Sequence, residues 1–244
     1  MHTLTPQELL EVWESGLERK PVERGVWMLR ALRDGNGGDD PARLPIGRRD
    51  ARLLALREEA FGQEITAVAS CPRCRESLEA QFQVTNLRLP AKDLPGSTNL
   101  ILGEYAIEFR LPDSLDLLAL QEIQDAQPGL RRRLLERCIL NVTYQGRTVA
   151  PAEVPDSVSE AVAQAMEEAD PQAEMELSLE CASCNHKWQE LFDIESFLWR
   201  EVEAWAARTL HEVHQLAAAY GWNERDILAL NPVRRNIYLN LIAE

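Results

Sequence analysis

The chain has 244 residues, 45% of them hydrophobic and 27% charged, with a formal charge of −14. This suits a globular protein of one large or two small domains, and it speaks against a sequence-independent nucleic-acid binder, which needs a positive footprint. No run of about 18 apolar residues is present to span a membrane. Residues 1–11 lack the basic-then-apolar pattern of a signal peptide, so the expected compartment is the cytosol.

The first element is a helix opened by Thr5-Pro6-Gln7-Glu8, a capping box with proline at the first helical position. Leu9, Leu10, Val12 and Trp13 supply its apolar stripe and Gly16 ends it. A second helix is expected from Pro21, burying Val22, Val26, Trp27, Leu29 and Leu32. Residues 34–40 (DGNGGDD) read as a loop. A third helix spans 48–60, closed by Phe61-Gly62.

Strand signals follow at 65–70 and 78–84, on either side of Cys71-Pro72-Arg73-Cys74. A further strand is expected at 105–111, helices at 114–125 and 129–140, and a hairpin over 142–149 turning at Gln145-Gly146. Ser157 and Glu160 are expected to cap another helix that ends near Asp170-Pro171. Strands at 175–180 and 186–192 then flank Cys181-Ala182-Ser183-Cys184. The remainder reads as helix. A long amphipathic helix follows Asp193 and stops at Gly221, a short one starts at Asn223, and a last one starts at Asn231-Pro232.

Two C-x-x-C pairs, each between strands, offer the four thiolates of a closed tetrahedral zinc site: Cys71, Cys74, Cys181 and Cys184. In a reducing compartment paired cysteines read as metal ligands rather than disulfides. Closing a loop of about 100 residues costs about 4 kcal/mol beyond a constant. Structural zinc contributes about 10 to 16 kcal/mol in small finger peptides, so the metal outweighs that cost. The position after each knuckle often takes a left-handed conformation; Arg75 and Asn185 stand there, and asparagine tolerates it better than arginine. His186 is close enough in sequence to hydrogen-bond a cysteine sulfur, though a plain surface histidine is the simpler reading. Cys138 lies on an apolar helix face with Leu134, Leu135 and Ile139 and reads as core.

Other motifs carry no chemistry. His211-Glu212-Val213-His214 sets its histidines three apart, where a zinc-protease helix needs four. Gly35-Asn36-Gly37-Gly38 is too short and too acidic in context for a phosphate loop, and the carboxylates are scattered. No enzyme activity and no small-molecule substrate are expected. Arg131-Arg132-Arg133 is a small basic cluster, and it reads as a solvated helix face. Trp199, Trp205, Trp222 and Tyr238, on the C-terminal helices, are the candidate partner-binding residues. Buried aromatics are the competing reading.

Three blocks carry a resemblance. The first is Leu44-Pro45-Ile46-Gly47-Arg48-Arg49-Asp50 with Leu53, Leu54, Leu56, Arg57, Phe61-Gly62 and Cys71-Pro72-x-Cys74. The second is Ala169-Asp170-Pro171-Gln172-Ala173, Cys181-x-x-Cys184-x-His186-x-Trp188, Phe192-Asp193-Ile194 and Phe197-Leu198-Trp199. The third is Glu212-Val213-His214, Ala219-Tyr220-Gly221-Trp222, Asp226-Ile227-Leu228-Ala229-Leu230, Arg234-Arg235 and Tyr238-Leu239. Together they resemble proteins encoded with contractile phage-tail-like injection systems, described as baseplate proteins or T-even-phage-type baseplate hub assembly chaperones. The resemblance implies a non-enzymatic role, holding or delivering a hub or tail subunit during assembly. It carries the four cysteines over as zinc ligands and implies no catalytic residue.

The expected fold class is α+β, mostly helical, with a zinc-ribbon-like pair of strand–CxxC–strand units split by a long helical insertion. The expected organisation is N-terminal helices over 1–62, ribbon halves over 63–84 and 174–192, an inserted, mainly helical subdomain over 85–173, and a C-terminal helical arm over 193–244. The expected function is that of an assembly factor for a baseplate hub, with baseplate hub or other tail proteins as partners and a structural Zn2+. A permanent baseplate subunit and a zinc-ribbon nucleic-acid binder are the alternatives.

Overall fold

The computed structural model describes residues 5–31, 39–90, 96–121 and 127–243. The loop expected at 34–40 lies outside them up to residue 38, as does the candidate phosphate loop at 35–38. The fold is mixed helix and sheet, and contacts divide it into two compact units, Gly37–Ile194 and the pair Met1–Asn36 with Glu195–Glu244.

The terminal unit opens with α1 (Pro6–Gly16). Its capping box forms as the sequence predicts: the Glu8 amide donates to Thr5 Oγ1 at 3.2 Å and the Thr5 amide donates to Glu8 Oε2 at 2.9 Å. Helix α2 (Pro21–Ala31) follows. Trp27 Nε1 donates to the Val12 carbonyl at 3.1 Å and ties the two helices together.

In the Gly37–Ile194 unit, α3 (Ile46–Phe61) buries Leu53 and Leu54 completely and ends at Gly62, whose φ of +88° suits glycine. Strands β1 (Glu64–Ser70) and β2 (Ser77–Gln83) form an antiparallel hairpin, followed by the single turn α4 (Val84–Leu87). Strand β3 (Thr98–Leu102) was not anticipated. It carries Leu100, Ile101 and Leu102 but is too short for clear alternation, and it forms because β4 (Tyr105–Phe109) pairs with it along its length.

Helices α5 (Ser114–Gln121) and α6 (Gln127–Cys138) come next, and 122–125 of the helix expected over 114–125 lie outside the described residues. Helix α6 stops at Cys138 rather than 140, because β-branched Ile139 and Val142 turn inward on β5 (Ile139–Tyr144) beside β4. The expected hairpin turn forms between β5 and β6 (Arg147–Thr148), with Gln145 and Gly146 both at positive φ. The sheet order β3-β4-β5-β6 is a meander. Ile107, Phe109, Ile139 and Val142 of this sheet meet Val158, Val162 and Met166 of α7 (Asp156–Ala169) in one core. The cap expected from Ser157 does not form: the helix starts two residues earlier, behind Pro155, with no side-chain cap. The unit closes with the antiparallel hairpin of β7 (Glu176–Glu180) and β8 (Lys187–Leu191).

Helix α8 (Ile194–Tyr220), stopped by Gly221 at φ +68°, leads into α9 (Glu224–Leu228) and α10 (Pro232–Ala243). Asn223 caps α9 by accepting from the Asp226 amide at 2.9 Å. Asn231 accepts from the Val233 amide at 2.9 Å at the start of α10. Leu10, Ala206, Val213, Leu216, Ile227 and Leu228 form the core of this unit. Among the described residues, no helix is long and apolar enough to cross a membrane.

Candidate metal centre

Each C-x-x-C pair occupies the turn of a two-stranded hairpin, and the two turns have the same backbone. The Arg75 amide donates to the Cys71 carbonyl at 2.9 Å, and the Cys71 amide donates to the Glu76 carbonyl at 2.9 Å. In the other hairpin the Asn185 amide donates to the Cys181 carbonyl at 2.8 Å, and the Cys181 amide donates to the His186 carbonyl at 2.9 Å. Arg75 at φ 62° and Asn185 at φ 55° both adopt the left-handed conformation expected after a knuckle. This bend turns both cysteines of each pair to the same side.

The turns of the two hairpins meet. All four sulfur atoms lie within 4.8 Å of one another. Cys71 Sγ and Cys184 Sγ are 3.7 Å apart, and Cys74 Sγ and Cys181 Sγ are 3.5 Å apart. A tetrahedral ion with four sulfurs at about 2.3 Å has sulfur–sulfur edges of about 3.8 Å, so these contacts fit such an ion. Cys71 and Cys181 are buried, Cys184 is half-buried and Cys74 is exposed. Farther along the hairpins, Phe82 and Phe192 pack edge to face with ring centres 5.6 Å apart.

The thiols have unequal proton affinities. Burial raises the Cys71 thiol, but backbone N–H groups of Cys74 and Arg73 and the neighbouring sulfurs bring it down to about 7. At Cys74 a backbone N–H of Glu76 lowers the value, but burial and the neighbouring sulfurs outweigh it and push it to about 12. At Cys184 the backbone N–H of His186 and the Cys74 sulfur lower the value, but burial and the sulfurs of Cys71 and Cys181 outweigh them and the thiol is raised. Four sulfurs this close cannot all ionise without a cation to balance them. A bound metal removes that conflict by deprotonating its thiol ligands. The set can therefore hold one metal ion.

The His186 ring stacks on Trp188, with centres 6.1 Å apart. Cys138 is fully buried and faces Asp116 Oδ2 at 3.8 Å, its thiol pushed to about 12 by burial and by that carboxylate, consistent with a core role. His211 and His214 are exposed, and the intervening Glu212 pairs with Arg235 at 3.0 Å. In the arginine run, Arg131 pairs with Glu160 and Arg132 with Glu136 and Asp156, so both charges are locally balanced.

The four aromatic candidates lie in the terminal unit. Trp199 is only 5% exposed; its ring occupies the space beside Gly16 where a side chain would stand, and the Arg24 guanidinium lies 4.5 Å from its centre. Trp205, Trp222 and Tyr238 are half-buried against the core of the unit, with Trp222 and Tyr238 edge to face at 4.9 Å. The most exposed large apolar groups nearby are aliphatic: Val233, Ile237 and Leu241 are 70%, 55% and 54% exposed and recur every four residues along α10, whereas Tyr220, against Trp222 and Tyr238, is less exposed.

Sequence reasoning also missed a buried polar group in the Gly37–Ile194 unit. Arg49 Nε donates to Asp50 Oδ1 at 2.8 Å and Arg49 Nη1 donates to Ser114 Oγ at 3.2 Å. Arg57 Nη1 donates to the Gly62 carbonyl at 2.7 Å, and the Gly47 amide donates to Asp170 Oδ2 at 2.8 Å. Burial raises Asp50 to about 6 despite the Arg49 charge. The available signal was charge in an otherwise apolar helix face, Arg49, Asp50 and Arg57 among Leu53 and Leu54.

No curated protein and no solved structure matches the chain. A family model described as T4 bacteriophage base plate protein matches residues 27–199, which include both cysteine hairpins. The chain belongs to the T4 bacteriophage base plate protein family.

Proposed function

We propose that this chain is a non-enzymatic assembly factor for the baseplate hub of a contractile phage tail or injection system, working in the cytosol by protein–protein contact. The family match over residues 27–199 carries the baseplate role. A net charge of −14 supports solubility before and between encounters with tail proteins. In this reading Cys71, Cys74, Cys181 and Cys184 hold one structural zinc. Four thiolates fill a tetrahedral ion and leave no position for substrate, so the metal's work is to clip two hairpins together across residues 75–180. The helices of the terminal unit, with the half-buried Trp205, Trp222 and Tyr238 and the aliphatic face of α10, are the partner-facing arm, while the candidate Trp199 is packed inside the unit and presents no face to a partner.

Co-expression of the tagged chain with the neighbouring tail genes tests the assembly role. Retention of a hub protein on the tagged chain, together with loss of soluble hub protein when the chain is omitted, is the expected result. A hub protein that is soluble and competent for assembly without the chain would overturn it.

A further inference from the structure

A cavity of about 370 Å³ opens in the Gly37–Ile194 unit beside the start of α3. It is at the small end of ligand pockets, which run from about 300 to 1,000 Å³. Ala51, Leu89, Pro90, Ala169 and Pro171 give it apolar walls, and Arg48 stands among them. Its other polar lining groups are already engaged. The Asp170 carboxylate accepts from the Gly47 amide at 2.8 Å, so the N–H end of α3 is already in use. Gln172 accepts from the Leu89 amide at 2.7 Å and donates to the Leu87 carbonyl at 3.0 Å. Arg88 is paired with Glu58. The guanidinium of Arg48 makes no hydrogen bond or ion pair among the described residues, though the Asp170 charge is close enough to feel it. The cavity thus combines a planar cation that has all its N–H donors free of hydrogen bonds among the described residues, and that feels the Asp170 carboxylate only at longer range, with an apolar recess of one- to two-residue size. That chemistry matches a carboxylate attached directly to an aliphatic group.

We propose that this cavity binds the C-terminal residue of a protein chain, its free α-carboxylate on Arg48 and its aliphatic side chain against Ala51, Leu89 and Pro171. A terminal residue presents both groups on adjacent atoms, and so small a recess suits a chain end better than a segment running through it. The site stands on the geometry of one unit and does not depend on the assembly-factor reading.

The test is a titration of the 15N-labelled full chain with N-acetyl-L-leucine, a mimic of a terminal leucine, followed by amide shifts. Saturable shifts at Gly47, Arg48 and Leu89 are expected. N-acetyl-L-leucinamide, which lacks the charge, should bind about tenfold more weakly, since a charge-assisted pair contributes on the order of a factor of ten or more. N-acetylglycine, which keeps the charge but lacks the side chain, should also be weaker. Arg48→Gln should reduce the acid to the level of the amide, and Ala51→Phe should abolish binding of both by filling the recess. Equal affinity of acid and amide for the unmodified chain, or shifts confined to other residues, would overturn the proposal without any variant. Binding of N-acetyl-glutamic acid α-amide as tight as that of N-acetyl-L-leucine would also overturn it, because an internal acidic side chain would then serve equally well.

Discussion

Replacing Cys184 by serine removes one corner of the sulfur cluster while leaving its hairpin intact, because the β7–β8 ladder does not use the thiol. The consequence follows from chain connectivity. The two hairpins are separated by residues 75–180, and closing a loop of about 100 residues costs about 4 kcal/mol beyond a constant. With the metal bound, the clip offsets that cost; without it, contacts such as Phe82 on Phe192 must do so alone. Since the clip must at least offset that cost, about 4 kcal/mol is the smallest loss expected, already a large part of the stability of a typical domain, about 5 to 15 kcal/mol. It corresponds to a fall in Tm of about 8 to 16 °C for a unit of this size. Thermal melts followed by circular dichroism, with parallel metal analysis, provide the assay. Cys184→Ser, Cys74→Ser and chelator-treated protein should all melt lower and by similar amounts, and untreated protein should carry about one zinc per chain. If the Cys184→Ser protein melted with the unmodified chain, or if natively purified protein held no metal, the clip argument would be refuted.

Three further outcomes are expected. Gly47→Ala should destabilise the Gly37–Ile194 unit by about 1 to 3 kcal/mol in denaturant melts, because a Cβ there would lie 2.1 Å from Asp170 Oδ1 and 2.7 Å from the Ala173 backbone nitrogen; an unchanged midpoint would contradict that packing. The Asp50 carboxyl, followed by 13C NMR, should titrate near pH 6 and move higher in Arg49→Gln, since burial raises it and Arg49 opposes the rise. Its folded value exceeds the ordinary 3.8, so the native state holds the extra proton between those values, and this group's contribution to stability falls as pH rises through about 6; titration near 4 would remove the effect. Ile237→Asp, at an exposed position of α10, should leave the circular dichroism spectrum unchanged and abolish co-purification of the hub protein. Undiminished capture would move the partner face away from α10.

The cysteine hairpins were legible because their information is local. Alternating strand residues, a two-residue gap between cysteines and a tolerant Asn185 all speak within a dozen positions, and Arg75 follows the same geometry although arginine accepts it less readily. Helix α8 and its successors were legible for the same reason, through apolar periodicity and the stops and caps at Gly221, Asn223 and Asn231. Strand β3 was not, because five residues become a strand only when β4 is there to pair with them. The premature end of α6 likewise depends on β5 finding β4 across the intervening turn and helices. The sulfur cluster could be inferred as a set of four from spacing, but the cross-hairpin contacts of Cys71 with Cys184 and Cys74 with Cys181 belong to tertiary structure. The Arg49–Asp50–Ser114 contacts and the cavity at Arg48 were hidden because each joins segments far apart in sequence. Periodicity can place a tryptophan on a helix, but it cannot show that Trp199 fills the space left by Gly16 while Val233, Ile237 and Leu241 stay exposed.

The most direct test of the assembly-factor account is the composition of purified mature particles, measured by quantitative mass spectrometry against the hub protein. The account predicts that the hub is present while this chain is absent or far below one copy per hub, although it is abundant in the producing cells. A fixed, stoichiometric copy number in the mature particle would contradict the account and make the chain a permanent part of the baseplate.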